Sequence, residues 1–117
     1  NVELTVENTK IYLNLDKRKK KITVNNIIEN VAKYFSIDKE DILSTARAKE
    51  IVNARKYAIY LSREMLDLSY PALAIEFKKN HSTILFQFEK MKKEINTSKA
   101  MRIIVDEIKS LINKEAD

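Results

Sequence analysis

The feature that most constrains this chain is the absence of glycine among its 117 residues. Average usage of about 7% would give about eight glycines in a chain of this length. Glycine-rich loops that wrap phosphate groups, including the dinucleotide fingerprint and the loop before a Lys-Ser/Thr pair, are therefore excluded. Tight β-hairpin turns also favour glycine, because it adopts positive φ at little cost. The sequence thus points away from nucleotide-binding folds and from hairpin-rich β proteins.

Cysteine and histidine usage excludes further kinds of site. The chain has no cysteine and one histidine, so it can form neither a disulfide framework nor a cysteine-based zinc finger, and it has no thiol nucleophile. A single histidine cannot supply a multi-histidine catalytic zinc site or the paired histidines of HExxH. We therefore expect no metal, no cofactor and no catalytic activity in this chain.

Targeting signals are not evident in the sequence. The first residues lack a basic segment followed by an apolar run, and no stretch approaches the ~18 apolar residues of a membrane span. We expect a cytoplasmic protein. Because the chain begins at Asn1, we also expect it to be a piece of a longer protein.

The positive charge is concentrated in the middle of the chain. Residues 44–93 carry 10 basic and 5 acidic side chains, which equals the whole net charge of +5. A localised positive field is typical of a surface that binds nucleic acid, or less often anionic lipid. A solvated basic face is the alternative. The separate basic run at 17–21 is interpreted as a solvated linker with a minor role in phosphate contact.

Apolar residues recur at helical spacing along most of the chain, which predicts an all-α fold. We predict helices over residues 6–14, 24–35, 38–43 and about 50–66, followed by helices capped by Ser69, Asn80 and Ser98. Residues 1–21 would form a separate tail and basic linker, and residues 22–117 a small helical bundle. The spacing predicts that Leu85 and Leu111 face the core and that Arg55, Lys56 and Arg63 face outwards.

Residues 69–94 have the order of a helix-turn-helix: a short helix, a three-residue turn, and a second helix that begins with small polar residues. An α-helix fits the DNA major groove and contacts bases through side chains near its N-terminus. The candidate base contacts are Asn80, His81, Ser82 and Thr83. In the alternative interpretation, Asn80 and Ser82 only cap the helix and His81 is an ordinary surface residue.

Three sequence blocks resemble one known family. They are 22–27 with 31–35, 51–61 continuing through Arg63 to Pro71, and the His-Ser-Thr-Ile run at 81–84. Together they are similar to the C-terminal DNA-binding domain (domain IV) of the DnaA family, the bacterial chromosomal replication initiators. Residues 1–15 resemble the last lid helix of the ATPase module that precedes this domain in the family.

The resemblance implies a role for each matching position. Arg47 falls where the family has an arginine that enters the minor groove, where a guanidinium responds to groove width. Base or groove contacts are also implied for Tyr70, Pro71, Asn80, His81, Ser82 and Thr83. Phosphate contacts are implied for Arg55, Lys56 and Arg63, and we expect phosphate contacts from the nearby lysines Lys49, Lys78 and Lys79.

The turn before the second helix departs from the family pattern. The family signature runs Phe-Gly-Gly-Arg-Asp-His, whereas this chain has Phe77, Lys78, Lys79, Asn80 and His81 in succession. Both glycines are missing and the turn is one residue shorter. Because an amide can donate where a carboxylate only accepts, Asn80 in place of aspartate predicts a changed preference at the base pair that it faces.

The function implied by the resemblance is sequence-specific binding of double-stranded DNA at the nonameric boxes of a replication origin. By the same resemblance the parent protein binds and hydrolyses ATP in another module and oligomerises on DNA, while this fragment is a non-catalytic monomer in the nucleoid. The alternatives are a helix-turn-helix transcriptional regulator, a helical protein-interaction module, and a membrane-surface domain that meets acidic phospholipid through residues 1–21.

Overall fold

The computed structural model describes residues 22–116. As predicted, the fold is all-α, and no strand occurs in that range. The six helices there are α1 Val24–Phe35, α2 Lys39–Ile42, α3 Lys49–Leu66, α4 Tyr70–Phe77, α5 His81–Thr97 and α6 Lys99–Ala116. The helix predicted over residues 6–14 and the basic linker at 17–21 lie outside the described residues.

Side-chain caps fix where several helices begin. At α1 the Thr23 hydroxyl accepts a bond from the Asn26 amide, and the Asn26 side chain accepts one from the Thr23 amide, both at 3.1 Å. This reciprocal capping box satisfies two backbone donors that the helix leaves unpaired. Capping side chains are confirmed for Ser69, Asn80 and Ser98. Asp38, which was predicted to begin α2, makes no side-chain cap bond.

Several helices end on a residue with left-handed backbone, a position where glycine is usual. Ser36, Asp67 and Lys78 follow α1, α3 and α4 with φ of 58°, 53° and 56°. Left-handed conformation costs a residue with a Cβ about 1–2 kcal/mol. The glycine-free chain therefore makes its turns with ordinary residues, and Lys78 does so inside the helix-turn-helix.

Helix α3 is the centre of the bundle, since it contacts each of the other five described helices. Its fully buried side chains include Ala58, Ile59 and Leu61. Helices α4 and α5 pack against each other and against α3, while α1 and α6 pack together beside them. This arrangement holds the helix-turn-helix of α4 and α5 against one rigid helix.

The structure corrects several predicted orientations. Leu85 and Leu111 were predicted in the core, but each is 41% exposed. Arg55 was predicted to face outwards, but it is 5% exposed. Because α3 is surrounded on most sides, its buried face is wider than one apolar stripe, and it also includes Tyr57. A surrounded helix buries residues that a simple amphipathic pattern assigns to solvent.

Candidate nucleic-acid interface

Arg55 holds the irregular segment between α2 and α3, residues 44–48, which we call the basic loop. Its Nε donates to the carbonyl of Ile42 at 2.7 Å, and its Nη2 lies within 3.2 Å of the carbonyl oxygens of Asp41, Ser44 and Ala46. Buried carbonyl groups that lie outside a helix need hydrogen-bond donors of this kind. Burial lowers the pKa of Arg55, although a guanidinium remains charged at neutral pH. The predicted outward orientation of Arg55 is therefore wrong, because the side chain is used to fix the loop.

Lys79 joins the turn of the helix-turn-helix to the same loop. Its Nζ donates to the Ser44 carbonyl at 3.0 Å, the oxygen that also accepts from Arg55 Nη2 at 2.9 Å. Burial, followed by the charges of Arg55 and Arg47, lowers the pKa of the Lys79 ammonium. The predicted phosphate contact of Lys79 stays a prediction. The observed contact holds the basic loop beside the start of α5.

Three of the predicted DNA-contacting cations meet at the N-terminal end of α3. Arg47 and Lys49 are exposed, and they line an open depression of about 580 Å³ together with Asn53, Lys56, the apolar Val52 and the carboxylate of Glu50. Lys49, Asn53 and Lys56 are spaced four and three residues apart, which places them on one helix face. Sequence reasoning missed Asn53, although this spacing could have identified it.

The ammonium of Lys56 is paired with a carboxylate from α5. Its Nζ lies 3.3 Å from Glu94 Oε1, and both side chains are partly exposed. This ion pair joins α3 to α5 and partly neutralises the depression next to Lys49. Glu94 was not predicted to take part in the site. Pairing between two helices that are distant in sequence leaves no local signal.

The second helix of the helix-turn-helix begins with exposed polar residues. Asn80 precedes α5, and its Oδ1 accepts a bond from the Thr83 amide at 2.8 Å. His81 and Ser82 are exposed, whereas Thr83 is half-buried. Asn80 therefore has the capping role of the alternative interpretation, while its amino group and the side chains of His81 and Ser82 remain at the surface.

Arg63 and Tyr70 form a stacked pair at the start of α4. The Arg63 guanidinium lies 4.0 Å from the centre of the Tyr70 ring and also donates to the Leu68 carbonyl. The Tyr70 hydroxyl donates to Glu89 Oε2 at 3.0 Å, and burial together with this bond raises its pKa. Pro71 beside it is exposed. Arg63 thus supports Tyr70, which was predicted to contact DNA, because a cation over an aromatic face is attracted to it.

Residues 22–116 contain neither a membrane-spanning helix nor a cluster of metal-ligating side chains. No helix of this part of the chain is both long and apolar enough to cross a bilayer. The same residues bring together no group of three or more acidic, histidine or cysteine side chains that could hold a metal ion.

The helix-turn-helix and its flanking helices match a known family. The bacterial dnaA protein helix-turn-helix corresponds to residues 24–91, from the start of α1 to the middle of α5. The chain belongs to the bacterial DnaA family. The match spans the basic loop, the depression beside α3, all of α4 and the first part of α5.

Individual DnaA proteins support this assignment. The chain is 38% identical over 98 residues to the chromosomal replication initiator protein DnaA of Caldanaerobacter subterraneus subsp. tengcongensis, covering 84% of this chain and 22% of the relative. It is 35% identical over 112 residues to the DnaA of Thermoanaerobacter sp., covering 96% and 25% of the two chains. The chain therefore spans about a quarter or less of the length of these relatives.

A solved structure of a DnaA protein has the same fold. AMPPCP-bound DnaA from Aquifex aeolicus matches with a TM-score of 0.64 and 26% sequence identity. The match covers 92% of this chain and 32% of the Aquifex chain.

Proposed function

We propose that this DnaA chain binds double-stranded DNA sequence-specifically at nonameric origin boxes, with α5 in the major groove and Arg47 in the adjacent minor groove. The observation that carries the proposal is the bond from Lys79 Nζ to the Ser44 carbonyl at 3.0 Å. It holds the basic loop next to the start of α5, so one duplex can meet both elements. A recognition helix in the major groove with a basic segment in the minor groove is an established combination for DNA-binding domains.

Electrostatic attraction would supply the part of the binding that is independent of sequence. Arg47, Lys49 and Lys78 are exposed, and each can approach a phosphate without breaking a hydrogen bond described above. If about six phosphates are neutralised, affinity would fall about a thousandfold between roughly 50 and 200 mM salt. Binding of any duplex should therefore weaken steeply as salt is added.

Base selection would come from the first turn of α5. His81 and Ser82 are exposed there and can bond to base edges in the major groove. Because Asn80 Oδ1 already accepts from the Thr83 amide, the amino group is the end of Asn80 that is available to DNA. We infer that Asn80 favours a base that presents an acceptor, whereas aspartate at this position would favour the amino group of cytosine.

The longer relatives are named chromosomal replication initiators. We propose that this chain is the non-catalytic DNA-binding part of such an initiator. The predicted contact of residues 1–21 with acidic phospholipid, the oligomerisation of the parent on DNA and its place in the bacterial nucleoid stay predictions.

The proposal is tested by titrating the chain against a family-type nonamer duplex and a scrambled duplex at two salt concentrations. Wild-type protein should prefer the nonamer, and His81→Ala should lose that preference while still binding both duplexes. The matched control is Lys99→Ala on α6, which removes an exposed side chain and should keep the preference. Equal binding of both duplexes by the wild type would refute sequence-specific recognition and leave a general basic surface. No binding to either duplex would favour a protein-interaction module instead.

The Asn80 inference is tested with a panel of single-base variants of the bound box. Asn80→Asp should create a preference for cytosine at one position, with about 1–3 kcal/mol of discrimination against the other bases. Preferences at the other positions should stay unchanged. Identical base profiles for the two proteins would show that Asn80 has only its capping role.

A further inference from the structure

An exposed phenyl ring lies on the outward face of α5. Phe86 is 65% exposed and its neighbour Leu85 is 41% exposed. At about 100° per residue, Phe86 projects about 170° from the middle of the buried face formed by Ile84, Phe88, Met91 and Ile95. Ser82 is about 40° from Phe86 on the same wheel. The ring therefore lies on the same side of α5 as the exposed Ser82, whereas His81 lies about 140° away on the wheel.

Phe86 lies between two carboxylates of α5 that contact neighbouring helices. At one edge Glu94 pairs with Lys56 of α3 at 3.3 Å. At the other edge Glu89 accepts from the Tyr70 hydroxyl of α4 at 3.0 Å. On the helical wheel Phe86 lies between the two carboxylates, about 60° from Glu89 and about 80° from Glu94. The phenyl ring thus occupies the middle of the outward face, with Lys56 of α3 on one side and Tyr70 of α4 on the other.

A helix lying in the major groove turns the middle of its outward face towards the base edges and its flanks towards the phosphates. The base edges there offer hydrogen-bonding groups and one apolar group, the 5-methyl group of thymine. A phenyl ring has no polar atom with which to bond the other groups. The thymine methyl is therefore the feature of the groove that fits Phe86.

We propose that Phe86 is a specificity-determining residue that selects thymine in the bound box by packing against its 5-methyl group. This inference rests on the proposed function, because it requires α5 to lie in the major groove. It adds an apolar contact in the second turn of α5 to the polar contacts of the first turn. Burying one methyl group corresponds to about a fourfold gain in affinity.

Replacing single thymines by deoxyuridine tests the inference, because this change removes the methyl group alone. The box is first selected by the full chain from a pool of random duplexes, and each thymine in it is then replaced in turn. For wild-type protein we expect about a fourfold loss at one or two positions. For Phe86→Ala the thymine box should bind more weakly by about fourfold for each of those positions, and deoxyuridine there should cost nothing further.

Two further variants serve as controls. Ile75→Ala removes another exposed apolar side chain, 78% exposed on α4, and should retain the full deoxyuridine effect. Phe86→Leu keeps an apolar side chain and should retain part of it, which controls for any disturbance of α5. If deoxyuridine costs the same in wild type and Phe86→Ala at every position, the inference fails while box binding, and with it the proposed function, stands. If the selection enriches no box, the proposed function and this inference fail together.

Discussion

The basic loop and the outward face of α5 both border the proposed DNA surface, but they are built in opposite ways. The loop has no regular structure, and its Ser44 and Ala46 carbonyls accept from Arg55 and Lys79. The helix pairs its own backbone, so His81, Ser82 and Phe86 are exposed at its surface. An irregular segment needs dedicated side-chain donors when it is held in place, whereas a helix leaves its side chains available for a partner.

This difference divides six of the seven cations that the sequence assigned to DNA; the seventh, Lys56, is paired with Glu94. We call Arg55, Arg63 and Lys79 the structural cations, because each bonds a backbone carbonyl of its own chain. We call Arg47, Lys49 and Lys78 the exposed cations. The division predicts that the first group acts mainly through stability and loop geometry, and the second through DNA contact.

The largest expected effect is that of Arg55→Ala on folding. The buried guanidinium would be lost, and the carbonyls of Ile42 and Ala46 would lose its hydrogen bonds, while those of Asp41 and Ser44 keep another donor. The free energy of unfolding should therefore fall by about 2–4 kcal/mol. Urea denaturation measures this change. Lys49→Ala, a change to an exposed residue on the same helix, is the matched control and should stay within about 0.5 kcal/mol of wild type. Equal stability of the two variants would remove the distinction between structural and exposed cations.

Arg47→Ala should weaken binding of the box by about 1–3 kcal/mol while leaving the unfolding midpoint unchanged. The reason is that the exposed guanidinium would contribute to DNA binding alone. Fluorescence anisotropy and thermal denaturation measure the two quantities. A fall in the midpoint with no loss of affinity would place Arg47 among the structural cations.

Lys79→Met should lower the free energy of unfolding by about 1 kcal/mol, because one hydrogen bond to the Ser44 carbonyl is lost. Affinity should also fall, since the loop that carries Arg47 would be held less firmly. In the Arg47→Ala background most of this loss of affinity should disappear, which a double-mutant cycle measures. Fully additive losses would mean that Lys79 acts on DNA independently of Arg47.

Lys78→Gly should change stability and binding in opposite directions. Glycine relieves the left-handed backbone at φ 56°, so the free energy of unfolding should rise by about 0.5–1 kcal/mol. Loss of an exposed cation should at the same time weaken binding to any duplex. Lys78→Ala is the control, because it removes the charge and keeps the backbone cost. A rise in stability for Lys78→Ala as large as that for Lys78→Gly would contradict the backbone argument.

The smallest expected effect is that of Glu94→Gln. Removing the carboxylate frees the Lys56 ammonium from its 3.3 Å ion pair, so duplex affinity should rise by about 0.3–0.5 kcal/mol at low salt. Glu40→Gln on α2 removes the same charge from an exposed position and should have less effect. Equal gains for the two variants would indicate net charge alone, without a role for the pair.

Local features of the fold could be predicted from the sequence. The caps at Thr23, Ser69 and Asn80 depend on a hydroxyl or amide beside the first turn of a helix, so the residues that decide them are neighbours. The order of the helix-turn-helix followed from the same kind of local signal. Contacts between distant segments were not predictable in this way, and the bond from Lys79 to the Ser44 carbonyl is an example.

The candidate site was predicted in composition but not in arrangement. The sequence predicted DNA contacts for both Arg47 and Arg55, yet Arg47 is exposed and Arg55 is only 5% exposed. Burial of a cation depends on the carbonyls that the rest of the fold places around it. Leu85 and Phe86 show the converse. Leu85 was predicted in the core and Phe86 was given no role, whereas the packing of α5 leaves both side chains exposed.

The salt dependence of DNA affinity tests the division between structural and exposed cations most directly. Each phosphate contact that is lost should reduce the slope of log affinity against log salt by about 0.9. We predict this reduction for Lys49→Ala and no change of slope for Lys79→Met, even where the affinity of the second variant is lower. A reduced slope for Lys79→Met together with a wild-type slope for Lys49→Ala would contradict the account.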